Sequence, residues 1–155
     1  MSDNTTATIH RILRQYKTIA MVGLSNSPHR PSYFAAKYMQ HYGYTVVPVN
    51  PRYDEVLGEV CYPSIADIPI QIDIVDCFRK PDEIPALTEQ AIAINASCLW
   101  LQLGIEHPES EQKARDAGLD VVSDRCVKIE HGRLFGGLNY AGVNTGVISS
   151  RRISK

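Results

Sequence analysis

Residues 19–32, with the sequence IAMVGLSNSPHRPS, carry the local pattern that decides the fold. The stretch begins with an apolar run that predicts a buried strand, and Gly23 ends that run. A polar loop then leads into Pro31, a residue type favoured in the first turn of a helix. A strand, a glycine, a polar loop and a helix in this order form the start of a βα unit, from which parallel sheets are built.

Four further apolar runs repeat this pattern along the chain. The five runs begin at residues 19, 45, 72, 98 and 119, and segments with helical character separate them. Short apolar strands that alternate with helices are typical of a parallel sheet covered on both faces. We therefore predict a three-layer α/β fold: a doubly wound, parallel, Rossmann-like sheet of about five strands, in the order 3-2-1-4-5.

The segments between the runs contain helix signals. Pro81 and Pro108 stand at plausible first helical positions and are followed by acidic residues, which favour the positive end of a helix dipole. Ser32 is the expected N-cap of a helix that extends through Tyr42. An opening helix over about residues 6–15 precedes the first strand.

The composition limits the classes of function. The 155 residues include 16 Lys and Arg and 17 Asp and Glu, a formal net charge of −1. A near-neutral chain does not favour a nucleic-acid-binding or membrane-surface protein. No apolar run approaches the roughly 20 residues that span a bilayer. The amino terminus has no signal-peptide pattern, so we expect a cytoplasmic protein.

The cysteines and histidines show no metal-ligand spacing. Cys77 and Cys98 lie in apolar runs and are expected to be buried free thiols. Cys126 lies between two cations, Arg125 and Lys128, which could lower the pKa of a thiol. No histidine lies within four residues of Cys126 to act as its base. We predict no catalytic residue, no metal site and no enzymatic activity.

The loops after the five strands are the candidate site, because ligands of such sheets bind beyond the carboxyl ends of the strands. The first loop leads from a strand into a helix, where backbone N–H groups and the helix dipole can hold a phosphate. Of the three positions of a G-x-G-x-x-G fingerprint, Gly23, Ser25 and Pro28, only the first is glycine. The loop therefore fits a phosphorylated ligand held by side chains and loop amides better than a dinucleotide pyrophosphate.

The second loop places a cation where NAD enzymes place an acid. Arg52 follows Asn50 directly after the second strand, and a guanidinium can bind a phosphate with two N–H groups. Two ligands with a phosphorylated ribose fit this position: NADP, with a 2′-phosphate, and coenzyme A, with a 3′-phosphate. The third and fourth loops offer an aromatic side chain, two cations, an amide and a glycine: Phe78, Arg79, Lys80, Gln102 and Gly104.

The chain from Ile19 to His131 resembles the small stand-alone CoA-binding domain proteins, which are similar to the N-terminal CoA-binding domain of the succinyl-CoA synthetase α subunit. The motifs RPSY, VNPR, CFRKP, WLQLG and DRCVKIEH carry the resemblance. It implies a CoA-binding Rossmann-like domain over residues 1–131, with a Gly-rich extension of the same domain over 132–155. The implied function is binding of coenzyme A or an acyl-CoA by a small non-catalytic module.

The resemblance also implies a role for each loop. The phosphate loop would comprise Gly23, Ser25, Arg30, Pro31 and Ser32. The residues beside the ribose 3′-phosphate would be Asn50 and Arg52. The adenine side would be bordered by Phe78, Arg79 and Lys80, and the ribose or pantetheine side by Gln102 and Gly104.

Two other functions stay open at this point: an NADP-dependent oxidoreductase and a ligand-free interaction protein of Rossmann type. The oxidoreductase needs a substrate domain or a proton donor, such as a Tyr-x-x-x-Lys pair, and we expect none on a suitable helix. The segment 132–155 is either a solvated tail or dimer arm, or a lid over an anionic ligand. If the segment is a dimer arm, the protein is a homo-oligomer.

Overall fold

The structure, a computed structural model, describes residues 4–136. Met1–Arg125 form one compact unit and Cys126–Lys155 form a second. The predicted extension over 132–155 lies outside the described residues, apart from its first five. No helix in the described part of the chain is long and apolar enough to cross a membrane.

The first unit contains a parallel sheet and a separate hairpin. The five sheet strands are β1 (Thr18–Val22), β2 (Thr45–Val49), β5 (Ile74–Cys77), β6 (Cys98–Leu101) and β7 (Asp120–Val122). The antiparallel hairpin consists of β3 (Glu55–Val56) and β4 (Glu59–Val60). The sheet confirms the predicted α/β, Rossmann-like fold, whereas the hairpin was not predicted.

Four α-helices belong to the first unit: α1 (Thr6–Gln15), α2 (Pro31–His41), α3 (Ile84–Ala93) and α4 (Pro108–Asp116). A short 3₁₀ turn, Pro81–Glu83, leads directly into α3. The described part of the second unit is a helix, α5 (Val127–Phe135), where the sequence interpretation placed a loop and a tail.

The predicted cap of α2 is wrong by two residues. Pro31 occupies the first helical position, so the N-cap is Arg30, whose side chain makes no capping hydrogen bond. Ser32 therefore lies inside the first turn and is buried. Its hydroxyl is directed to the loop that precedes the helix, as described below.

Alternate residues of the strands face two helix layers, as predicted for a sheet covered on both sides. One face packs against α3 and α4 in a single apolar cluster, which includes Ala20, Val22, Val47, Val49, Val75, Cys77, Leu99, Leu101, Val121, Ile84, Ala91 and Ala114. Met21 and Trp100, which alternate with cluster residues, are fully buried as well. On that second face, Arg11 of α1 forms an ion pair with Asp120 of β7 at 2.9 Å.

The predicted strand order is wrong. The observed order is β2-β1-β5-β6-β7, which is 2-1-3-4-5 for the five main strands instead of 3-2-1-4-5. On the outer side of β2, the N–H of Tyr62 donates to the carbonyl of Pro48 at 3.0 Å, and the Tyr62 carbonyl accepts from Asn50 N at 2.9 Å. A short returning segment thus occupies the edge that the prediction gave to a full strand. Pro48 was the available signal, because a proline inside a strand favours an edge position.

The corrected order moves the expected ligand crevice. In a doubly wound sheet the crevice lies where the strand order reverses. That point is between β1 and β5, whereas the predicted order would place it between the first and fourth strands. The loop after β5, which begins at Phe78, is therefore the neighbour of the loop that begins at Gly23.

Candidate functional site

Gly23 lies at the crevice between β1 and β5, and its position requires a glycine. Its φ is +90°, and an added Cβ would lie 2.8 Å from the carbonyl oxygen of Phe78 and 3.2 Å from Nε of Arg79. Its N–H donates to the carbonyl of Val49 at 2.8 Å. Gly23 thus lies against both the end of β2 and the start of the loop after β5.

Two serine hydroxyls fold the first loop onto the start of α2. The Ser32 hydroxyl accepts a hydrogen bond from Ser25 N at 3.0 Å, and the Ser25 hydroxyl accepts from Ser27 N at 3.0 Å. At the start of α2, Pro31 has no N–H, and the N–H groups of Tyr33 and Phe34 both donate to the carbonyl of Arg30, at 3.0 and 3.3 Å. The positive dipole of this helix end favours an anion, whereas most of its first backbone donors are absent or already bonded within the protein.

Asn50 joins the first two loops through its side chain. The amide Nδ2 donates to the carbonyl of Leu24 at 3.1 Å, and Oδ1 accepts from Arg52 N at 3.0 Å. The residue is buried, and both ends of its amide are occupied by the protein. Asn50 therefore positions the backbone of Arg52. Its place beside a ribose phosphate stays a prediction.

The predicted cations of the site differ in their partners. The side chains of Arg30, Arg52 and Lys80 are exposed, and within residues 4–136 none of them makes a hydrogen bond or an ion pair. Arg79 is half-buried, and its Nε lies 3.8 Å from a carboxylate oxygen of Glu83. Three cationic groups are thus available to an anion, and a fourth has an acidic partner.

The fourth loop is held to the fifth, one strand further from the crevice. Asp124 accepts a hydrogen bond from Gly104 N at 2.7 Å through its carboxylate and donates its own N–H to the carbonyl of Ile105 at 3.1 Å. Gln102 is buried, whereas Leu103 is 64% exposed. Since β6 is two strands from β1, Gln102 and Gly104 lie about 10 Å along the sheet from Gly23.

The sequence interpretation missed several residues that shape this edge. Leu24 contributes only a carbonyl, which no sequence pattern reveals. Glu83 carries a detectable signal, because it stands four residues after Arg79 at a predicted helix start. Asp124 follows the fifth strand, and its side chain organises the fourth loop by accepting a hydrogen bond from Gly104 N.

Asp76 is a buried carboxyl group below the crevice. It lies in β5 in register with Met21 and Trp100, and neither carboxylate oxygen has a hydrogen-bond partner among the described residues. Burial raises the pKa of Asp76 well above its ordinary value, because desolvation disfavours the charged form. Cys77 and Cys98 are fully buried free thiols, as predicted, and burial also raises the pKa of the Cys77 thiol.

A Tyr-x-x-x-Lys spacing does occur in the chain, contrary to the expectation stated above. Tyr33 and Lys37 lie one turn apart on α2. Because such a pair is the proton donor named above for an NADP-dependent oxidoreductase, the binding experiments below compare NADP with coenzyme A. Within residues 4–136, no group of three or more His, Cys, Asp or Glu side chains could hold a metal ion.

The known proteins that are similar to this chain support both the observed fold and the family resemblance carried by the sequence motifs. The family model described as a CoA binding domain matches residues 17–132. The uncharacterized protein YneT of Bacillus subtilis (strain 168) is 38% identical over 131 residues, which are 84% of this chain and 97% of that protein. A hypothetical protein from Pyrococcus horikoshii OT3 is 46% identical with a TM-score of 0.82, covering 85% of this chain and 93% of the other.

A larger protein matches the same region. The ADP-forming acetate–CoA ligase I of Archaeoglobus fulgidus is 28% identical over 123 residues. The match covers 72% of this chain but 18% of the ligase. The likeness is thus to a small part of that protein, and the activity in its name belongs to the whole ligase.

Proposed function

Since the chain belongs to the CoA binding domain family, we propose that it binds coenzyme A or an acyl-CoA at the carboxyl edge of its sheet and does not itself catalyse a reaction. The family match over residues 17–132 includes all the strand-end loops of the candidate site. The observation that carries the proposal is the set of unpaired cations beside the Gly23 crevice. A ligand with several phosphates complements that set.

The arrangement of the cations supports coenzyme A in particular. The diphosphate would bind at the N-terminus of α2, where Gly23 allows the backbone to approach and Arg79 lies alongside. The ribose 3′-phosphate would bind Arg52, whose backbone Asn50 holds in place. Phe78, half-buried at the end of β5, would border the adenine.

The non-catalytic part of the proposal is supported by the burial of two of the four cysteines, Cys61 and Cys77. Nucleophilic catalysis by cysteine requires a thiolate, which a lowered pKa favours. Burial instead raises the pKa values of Cys61 and Cys77. The ligase match does not extend to most of that enzyme, so its chemistry is not carried over.

Thermal unfolding with and without ligand tests the proposed function. Coenzyme A at 100 times its dissociation constant should stabilise the protein by about 2.7 kcal/mol. For a domain of this size the expected rise in Tm is roughly 5–10 °C. NADP at the same concentration should produce a much smaller rise. An equal rise with NADP, or none with coenzyme A, would contradict the proposal.

A further inference from the structure

We propose that Glu83 is an internal competitor for the anionic ligand, because its carboxylate holds the Arg79 guanidinium that a phosphate would engage. The inference rests on the proposed function and concerns how tightly the same site binds. It makes Glu83 a residue that sets affinity without contacting the ligand.

The position of Arg79 is the first step. Its Nε and Cδ lie 3.2 and 3.3 Å from the point that a Cβ on Gly23 would occupy. The Arg79 side chain therefore lies across the start of the loop that leads into α2. A phosphate bound at the α2 N-terminus would lie beside this guanidinium.

The strength of the Arg79–Glu83 contact is the second step. The closest atoms, Arg79 Nε and Glu83 Oε1, are 3.8 Å apart, which is longer than a hydrogen bond. The Glu83 side chain is 48% exposed, and exposed ion pairs are weak. A phosphate that binds the guanidinium through two hydrogen bonds would replace such a partner.

The contrast with the other cations is the third step. Arg30, Arg52 and Lys80 have no acidic partner within residues 4–136. Among the four cationic candidates, the one beside Gly23 is thus also the one that carries a counter-ion. The cation whose side chain lies beside Gly23 thus has an acidic neighbour, whereas the other three candidates have no ion pair within the described residues.

Glu83 has a simpler possible role, which defines the control. Acidic residues in the first turn of a helix stabilise it through the helix dipole, and both Asp82 and Glu83 stand at the start of α3. Asp82 is exposed and has no ion pair with Arg79. The substitution Asp82→Asn therefore changes the net charge and the helix dipole as Glu83→Gln does, without touching the Arg79 pair.

Isothermal titration with coenzyme A tests the inference in five proteins: wild type, Glu83→Gln, Asp82→Asn, Arg79→Gln and the double variant Arg79→Gln/Glu83→Gln. Arg79→Gln is the reference for the double variant. Glu83→Gln should bind about 1.5- to 5-fold more tightly than wild type, the range expected for release from an exposed ion pair. Asp82→Asn should bind like wild type. In the Arg79→Gln background, Glu83→Gln should give no gain.

Each alternative result has a separate meaning. An equal gain with Asp82→Asn, or a gain that persists without Arg79, would show general repulsion of the ligand and overturn the inference. No gain in Glu83→Gln would also overturn it, while wild-type binding would still support the proposed function. Failure of the wild type to bind coenzyme A would contradict the proposed function and the inference together.

Discussion

At the scale of single residues, Arg52 is the proposed partner of the ribose 3′-phosphate of coenzyme A. Its guanidinium is exposed and unpaired within the described residues, and its backbone is fixed by Asn50. A charge-assisted hydrogen bond contributes roughly 1.5–3 kcal/mol. Arg52→Ala should therefore weaken coenzyme A about tenfold to a hundredfold and should affect dephospho-coenzyme A, which lacks the 3′-phosphate, much less.

Titration calorimetry of both ligands checks this prediction. Arg14→Ala is the matched control, because Arg14 is exposed in the last turn of α1, near the amino ends of the strands. That variant removes the same charge and should bind both ligands like wild type. If Arg52→Ala weakens the two ligands alike, Arg52 is not the partner of the 3′-phosphate.

Asp76 predicts a dependence of stability on pH. Its folded-state pKa is raised by burial above the unfolded value of about 3.9, so the folded state holds a proton that the unfolded state has lost. Stability contributed by this group is therefore lost as the pH rises above about 4 towards the folded-state pKa. Asp76→Asn removes this titration and keeps the shape of the neutral side chain.

Urea unfolding of wild type and Asp76→Asn between pH 4 and pH 8 measures the effect. As the pH rises, wild type should lose stability relative to Asp76→Asn. The difference between their free energies of unfolding should change by up to about 1.4 kcal/mol per pH unit until the pH reaches the folded-state pKa of Asp76. A difference that does not change with pH would mean that the Asp76 carboxyl is not protonated in the folded protein.

At the scale of helices and strands, the sequence predicted the elements well and their arrangement less well. The opening helix expected over about residues 6–15 is observed as α1, Thr6–Gln15. The five sheet strands were found because each lies in a short, mostly apolar run between turn signals. The hairpin over 55–60 was missed because its two strands have two residues each, too few for a pattern to appear.

The strand order could not be derived from the spacing of the runs, because both orders satisfy the rule of right-handed crossovers. The position of Pro48 in β2 favoured the observed order, but the partner of the β2 edge is Tyr62, in an irregular segment. This error had a consequence for the site. The loops that meet at Gly23 are those after β1, β2 and β5, whereas the predicted order favoured the loop at Gln102.

Candidate binding residues could be predicted only where their chemistry is visible in the chain. Cations and glycines at strand ends are conspicuous, and the sequence offered Gly23, Arg52 and Arg79 as candidates for this reason. Contacts through the backbone, such as the one between Asn50 and the Leu24 carbonyl, depend on the folded geometry. The ion pair of Arg79 with Glu83 was partly predictable. The separation of four residues is visible in the sequence, but only the structure shows that Arg79 lies beside Gly23.

At the scale of the whole molecule, the carboxyl edge of the sheet carries charges of both signs. The chain has a formal net charge of −1, and the strand-end loops contain five cationic side chains together with acidic ones such as Glu106 and Asp124. Because salt screens exposed charges, the affinity for a polyanionic ligand should fall as the ionic strength of the buffer rises. Under the proposed function, the exposed side chains of Arg30, Arg52 and Lys80 would attract a ligand that carries several phosphates.

Native mass spectrometry of the protein mixed with equal amounts of coenzyme A and NADP tests the central claim most directly. The added mass identifies the bound ligand, and its multiples give the stoichiometry. We predict one coenzyme A per chain and little or no NADP. A complex with NADP in preference to coenzyme A, or no complex with either, would contradict the account.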